Sequence, residues 1–323
     1  MKKTLVVLWA VMALVGLLAT GCNKDNGNGP DNGSDPPSVT DEQSARLYYV
    51  NNDDFVNNDE KTIDDQEVQP TDYGTFGKID AAIIPLRWGR FVTNVVRTAT
   101  DTVRQGDSIA VVHIHKVITG TFKIKGLTGT GDTVVIQKPF VDEADRNIVF
   151  RRFGRGPRPF MLHWLPVAIS LVDGGTVSPN NINLTKLEII TPNDTITITD
   201  PLHFYLRFPA PRILNAGRMD IPDFVGGQQM LVQATVVSSS PDTDLVALRF
   251  GMDPFHKRRI RMQCISRVQD GTNYVGVFQA PVFRMHVFPG AFHIAVDALT
   301  RETLFDDTAP YSVSWWGFPY RVR

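Results

Sequence analysis

His113 and His115 stand two apart in the apolar run Ile109-Ala110-Val111-Val112-His113-Ile114-His115. On a strand that spacing points both imidazoles to one face, where two nitrogens can meet one metal ion. A site needs further ligands, and no Asp, Glu or Cys is placed nearby in sequence to supply them. The pair therefore reads as structural or surface histidines, with no metal expected. His163, His203, His256, His286 and His293 each sit alone among apolar or basic neighbours and support no catalytic triad. Carboxylates at positions 53, 54, 59, 60, 64, 65, 67, 72 and 80 are dense enough to suggest calcium. No window there supplies the D-x-[DN]-x-[DN]-G loop with its glutamate at the twelfth place, so a solvated acidic segment is expected. Gly126-Leu127-Thr128-Gly129-Thr130-Gly131-Asp132 leads from strand to strand and lacks the Gly-Lys-Ser/Thr that holds phosphate, and so reads as a hairpin loop. G-x-S-x-G, H-E-x-x-H and C-x-x-C are absent as well. No enzyme activity and no cofactor are expected.

Two basic stretches, Arg151 to Pro159 and His256 to Arg261, combine arginine with aromatics. Such stretches bind polyanions such as nucleic acid, acidic polysaccharide or lipid headgroups, and otherwise form solvated loops. Trp315 and Trp88 are the candidates for stacking on a sugar ring. Adjacent tryptophans on a strand point to opposite faces, so at most one of Trp315 and Trp316 is expected to be buried. Asp253, Asp297 and Glu302 are the scattered carboxylates a glycan-hydrolysing site would pair, at a separation of ~5–9.5 Å that sequence does not fix. Cys264 continues the alternation of Ile260 and Met262 and reads as a small core residue.

Strands must position all of these groups. From Ala81 onward, short β-branched or alternating runs recur, including Phe91 to Arg97, Ile109 to His115, Thr121 to Lys125, Thr133 to Ile136 and Ile148 to Arg152. Trp164 to Val172, Leu184 to Thr191, Thr195 to Thr199 and Leu202 to Phe208 follow. Turn signals separate them, and no window sustains a capped 3.6-residue period. The expected class is all-β, built as two tandem antiparallel β-sandwich domains, residues 81–209 and 210–323. The seam falls at Pro209-Ala210-Pro211-Arg212. Beyond it come Gln229 to Val237, Leu245 to Gly251, Arg259 to Ile265, Asn273 to Phe278, Gly290 to Ala298 and Tyr311 to Trp316. Phe288-Pro289-Gly290-Ala291-Phe292-His293-Ile294 resembles the sixth strand of immunoglobulin-like domains. Phe292 takes the family's tyrosine place and Ile294 its cysteine place, so the resemblance implies an immunoglobulin-like C-terminal domain without the corner hydroxyl or the disulfide.

The charge balance is split. Residues 23–80 hold 14 acidic and 4 basic residues, a net of −10, whereas residues 81–323 hold 20 acidic and 27 basic, a net of +7. Asn23 to Ala45 has too little apolar content to bury and reads as a disordered tether, part of segment 22–45. Fully extended it reaches ~80 Å. Residues 46–80 read as an acidic, partly ordered segment with a short edge strand near Leu47 to Val50.

Before the tether, Lys2 and Lys3 precede an apolar run from Leu5 to Leu18, and small residues lead to Cys22. That is the layout of a secretory signal over residues 1–21. As a helix the run spans ~21 Å, short of a ~30 Å hydrocarbon core. Leu17-Leu18-Ala19-Thr20-Gly21-Cys22 resembles the lipobox of bacterial lipoproteins. The resemblance implies that Cys22 is diacylated on sulfur, becomes the new N-terminus and is acylated again. Two or three chains hold a protein stably at a membrane. The expectation is thus a non-catalytic envelope lipoprotein, attached to the membrane through its N-terminal lipid and presenting β-sandwich domains for binding, adhesion or scaffolding. Its partner would be a protein or a polysaccharide and not nucleic acid. The alternative is a carbohydrate-binding or glycan-hydrolysing surface module.

Overall fold

The structure is a computed structural model that describes residues 39–52, 56, 63–64, 69–70, 83–104, 108–152, 164–207, 223–251, 258–284 and 289–322. Helix α1 (Val39–Asn52) comes first. The strands of the first half are β1 (Gln69–Pro70), β2 (Ile83–Arg104), β3 (Ile109–Thr128), β4 (Thr133–Arg152), β5 (Trp164–Ser170), β6 (Val172–Thr176), β7 (Ile182–Ile190), β8 (Thr195–Ile198) and β9 (Tyr205–Arg207). Those of the second half are β10 (Asp223–Phe224), β11 (Gln229–Ser238), β12 (Leu245–Gly251), β13 (Arg258–Arg261), β14 (Gln263–Asp270), β15 (Asn273–Gln279), β16 (Phe283–Arg284), β17 (Gly290–Leu299) and β18 (Val313–Val322). A short helix, α2 (Arg301–Phe305), joins β17 to β18. No helix among the described residues is long and apolar enough to cross a membrane.

The described strands form two sheets. The larger has 12 strands and the order β1-β2-β3-β4-β6-β18-β17-β12-β13; the smaller has 6 and the order β14-β15-β11-β7-β8. Every described pair is antiparallel except β10 with β18. The all-β antiparallel sandwich class is therefore what the structure has. The division at 209/210 is corrected, because it separates no pair of sandwiches. β18 pairs with β6 across that boundary, β11 pairs with β7 across it, and Pro37–Arg323 is one compact unit. The C-terminal strands do not close an immunoglobulin-like sandwich by themselves, since each sheet is completed by strands from the first half.

Two cores follow from this arrangement. The first lies between the sheets and takes Val112, Ile148, Leu187, Val232, Phe278, Ile294, Trp316 and Phe318. The second lies behind the large sheet and takes Trp88, Phe122, Phe140, Leu299, Tyr311, Val313 and Trp315. β18 feeds both, with Trp316 on one face and Trp315 on the other, and each is at most 2 % exposed. Fully burying one such aliphatic or aromatic side chain stabilises by about 1.5–3 kcal/mol.

The second core exists because β2, β3 and β4 are long, at 22, 20 and 20 residues against the usual five or six. Even-numbered residues of β3 face inward along its length, Ala110 to Ile114 into the first core and Ile118 to Ile124 into the second. The ribbon is shaped by register shifts at Pro85/Arg87 and Val92/Asn94. At Gly120 a Cβ would strike the carbonyl of Phe91 and the ring of Phe140, so only glycine fits where these strands close on each other.

Residues 47–50 are helix, not an edge strand, and α1 takes in residues 39–45 that the sequence assigns to the tether. Arg46 and Val50 are buried one turn apart, while Tyr48 is exposed. The helical period is concealed in the sequence because one inward residue is an arginine. Arg46 gives two hydrogen bonds to Asp101 Oδ2, from Nε at 3.0 Å and Nη2 at 2.6 Å, and its guanidinium lies 4.4 Å over Trp164.

Candidate functional site

Three groups of polar side chains stand out from the strand framework. The first is buried behind the large sheet. Asp297 on β17 accepts from Arg249 of β12, Nε to Oδ1 at 3.0 Å and Nη2 to Oδ2 at 3.1 Å, and Arg90 of β2 donates to the same Oδ2. Burial pushes the Asp297 carboxyl up, but Arg249 and Arg90 override it and hold it below the usual range. Beside it, Asp142 on β4 accepts from Thr176 Oγ1 at 3.0 Å and Tyr311 Oη at 3.3 Å. Burial raises Asp142 to about 6, against the opposing pull of Arg90 and these two hydroxyls. Burial also holds the Tyr311 phenol well above its ordinary value. Each carboxylate is consumed by its own neighbours, so the cluster joins ribbon to sheet: breaking a buried pair of this kind costs about 3–5 kcal/mol.

The second group lies on the outer face of the ribbon. The register of β3 on β4 sets His115 opposite Asp145 and His113 opposite Asn147. His115 Nδ1 is 2.9 Å and His113 Nε2 3.0 Å from the same oxygen, Asp145 Oδ1, and His113 Nδ1 is 3.0 Å from Asn147 Oδ1. Next in the sheet, Asp173 of β6 accepts from Trp316 Nε1 at 3.0 Å, and burial raises its carboxyl, helped by the charges of Asp145 and Asp200. The carboxylate that sequence proximity does not provide for the histidines thus arrives by strand pairing. Among the described residues no group of three His, Cys, Asp or Glu is set to hold a metal ion.

The third is an open cleft of about 710 Å³ at the corner where the chain passes from β13 through Met262 into β14. Its lining includes Asp244, Arg259, Ile260, Arg261, Met262 and Phe278. Asp244 accepts from Ser238 Oγ at 3.0 Å and lies 3.9 Å from Arg267. Burial raises its carboxyl to about 7, with Ser238 and Arg267 pulling the other way.

Trp88 and Trp315 do not reach a surface where they could stack on a ligand, and that expectation is corrected: both are 0 % exposed. Trp88 is covered by Arg259 at 3.9 Å and by the ring of Phe122 at 5.5 Å. Trp315 is covered by Gly174, where a Cβ would collide with the indole. The expectation that at most one of Trp315 and Trp316 is buried fails for the same reason, since both faces of β18 are covered. Cys264 is half-buried at the rim of the first core, and its Sγ donates to Ser266 O at 3.3 Å. Burial raises its thiol above the ordinary value. Cys22 and Asp253 lie outside the described residues. Of the other two carboxylates, Asp297 is locked to arginines and Glu302 Oε1 accepts from Ser240 Oγ at 2.6 Å.

Arg90, Asp142, Arg146 and Lys138 were missed as site residues, although a signal was present. In β4, Lys138, Asp142 and Arg146 share the inward parity of Phe140, Ala144 and Ile148. Charges on the core face of a strand mark a buried network. No protein-family model matches the chain, and no curated protein matches it.

Proposed function

We propose that this chain is a lipid-anchored envelope protein whose β-sandwich body binds or scaffolds a partner and carries out no catalysis. The observation that carries the reading is the sequence Leu17-Leu18-Ala19-Thr20-Gly21-Cys22 behind an apolar run and two lysines. The acidic, apolar-poor stretch after it supports the reading, because a solvated spacer holds a body clear of headgroups. The titratable clusters of the body support it too: the carboxylates of the second core are bonded to their own neighbours. The partner is a protein or polysaccharide. Covering Trp88 and Trp315 leaves sugar stacking without the two aromatics first considered for it.

Labelling cells with an alkynyl fatty acid tests the anchor. The wild-type chain takes up label and runs at the mature size, whereas Cys22→Ser yields an unlabelled, unprocessed precursor. Label retained by Cys22→Ser, or a mature wild-type protein without label, overturns the proposal. Protease treatment of intact cells then reports which face of the envelope carries the body.

A further inference from the structure

Where β4, β6 and β18 lie side by side, their register sets two rows of residues across the large sheet. One row is Asp145, Asp173 and Trp316; the next is Glu143, Gly175 and Ser314. Gly175 has no side chain, so the second row has a gap between a carboxylate and a hydroxyl. The chain entering β7 borders this gap with Asn180 and Asn183, and the result is an open cleft of about 290 Å³. That is close to the ~300 Å³ at which small-molecule sites begin. The polar groups of the cleft have bonding capacity to spare. Ser314 is 5 % exposed; its Oγ accepts from Leu184 N at 3.0 Å, and among the described residues nothing accepts its hydroxyl proton. Asp173 uses Oδ1 for Trp316 Nε1 at 3.0 Å, which leaves Oδ2 without a donor among the described residues. Glu143 and the side-chain amides of Asn180 and Asn183 have no side-chain bond to any described residue. The lining holds no Arg, Lys or His, so its charge is net negative. Burial raises the Asp173 carboxyl, and the charges of Asp145 and Asp200 raise it further, a repulsion that a bound cation relieves. Among the described residues no group of three His, Cys, Asp or Glu is set to hold a metal ion, which directs the assignment to an organic cation.

We propose that this cleft binds an amino sugar, with the ammonium group between Glu143 and Asp173 and the ring hydroxyls against Asn180, Asn183 and Ser314. An ammonium group offers donors and no acceptor, which suits the unpaired carboxylate oxygens. A sugar hydroxyl both donates and accepts, which suits the two amides and the Ser314 proton. The assignment rests on the reading of the body as a binding module and names the sugar it takes. It does not depend on the anchor, so fatty-acid labelling and sugar binding can each fail without the other.

The test is calorimetric titration of glucosamine into the full chain held in lipid nanodiscs, with the heat of empty discs subtracted. One saturable site per chain is expected. Glucose, which lacks the ammonium group, and ethylammonium, which lacks the hydroxyls, should each bind roughly tenfold or more weakly. Glu143→Gln should weaken glucosamine by roughly tenfold, because it removes one of the two charges facing the amine. Asn183→Trp, at an exposed position, should abolish binding by filling the cleft while the melting temperature and circular dichroism stay at wild-type values. A linear glucosamine trimer that binds more tightly than the monosaccharide identifies a polysaccharide as the source of the ligand, and one that binds no more tightly identifies the free sugar. Absence of saturable glucosamine binding, equal affinity for glucose or ethylammonium, or binding unchanged in folded Glu143→Gln or Asn183→Trp overturns the proposal.

Discussion

Asp142 and Asp297 share one buried cluster and titrate in opposite directions, and the difference is a matter of partners. Asp297 carries two arginines, whereas Asp142 has two hydroxyls and the charge of Arg90. Asp142 and Asp244 bind their protons more tightly folded than unfolded, with values raised from 3.8 to about 6 and about 7. Between those limits the folded state holds more protons, so their contribution to stability falls as pH rises. Asp297 has the reverse sign: its contribution is full above the ordinary carboxylate range and is lost as pH falls through its lowered value. Asp142→Asn and Asp244→Asn should therefore each flatten the decline of unfolding free energy between about pH 4 and 7, by about 3 kcal/mol for Asp142. Urea unfolding across that range decides it, and a variant with wild-type slope refutes the assignment. At this scale the sequence was partly legible. The Gly126 to Asp132 hairpin is where the motif placed it, with Gly131 at φ +88° and its N–H donating to Thr128 O at 2.9 Å. The tryptophans were misplaced because residue size says nothing of what lies on top.

At the scale of elements, strand positions were well marked wherever one face is apolar. β12 occupies Leu245–Gly251 as expected, and β11, β15 and β17 differ by a residue or so at their ends. The long ribbon was read as fragments, because Lys116, Lys138, Asp142 and Arg146 interrupt its apolar pattern yet are buried. Lys138 shows how such a charge is accommodated: its Nζ donates to Thr303 O at 2.8 Å and Asp306 O at 2.5 Å, at the end of α2. Burial still lowers it to about 8, against the pull of Asp306 and Asp307. Helix α1 was missed for the same reason, as the inward Arg46 breaks the apolar stripe. Gly120 tests the ribbon directly. Gly120→Ala forces a methyl into the Phe91 carbonyl and the Phe140 ring, and overpacking of that kind costs about 1–3 kcal/mol. Thermal unfolding should show the loss, while Gly129→Ala, with open space around it, should cost far less. Equal effects at the two positions refute the close approach.

For the molecule as a whole, proline-rich punctuation suggested two bodies and strand pairing made one. The sequence around 209–212 marks an interruption between strands, but nothing local in it reveals that β18 will pair with β6. The core contact of Arg90 with Asp297 joins residues 207 apart. Neither 81–209 nor 210–323 should fold alone, since each leaves half of both sheets unpaired. Expressed separately, both pieces should lack a cooperative melt and near-ultraviolet circular dichroism; a sharp transition in either one contradicts the interleaved topology.

The position of β18 between β6 and β17 carries a further meaning. A plank in the middle of the large sheet leaves the ribosome after every other described strand of that sheet. Until it emerges, apolar faces from both halves wait uncovered, which exposes the nascent polymer to aggregation, as expected for chains whose pairings span long separations. A stop codon placed just before β18 therefore removes the centre of the sheet and not its fringe.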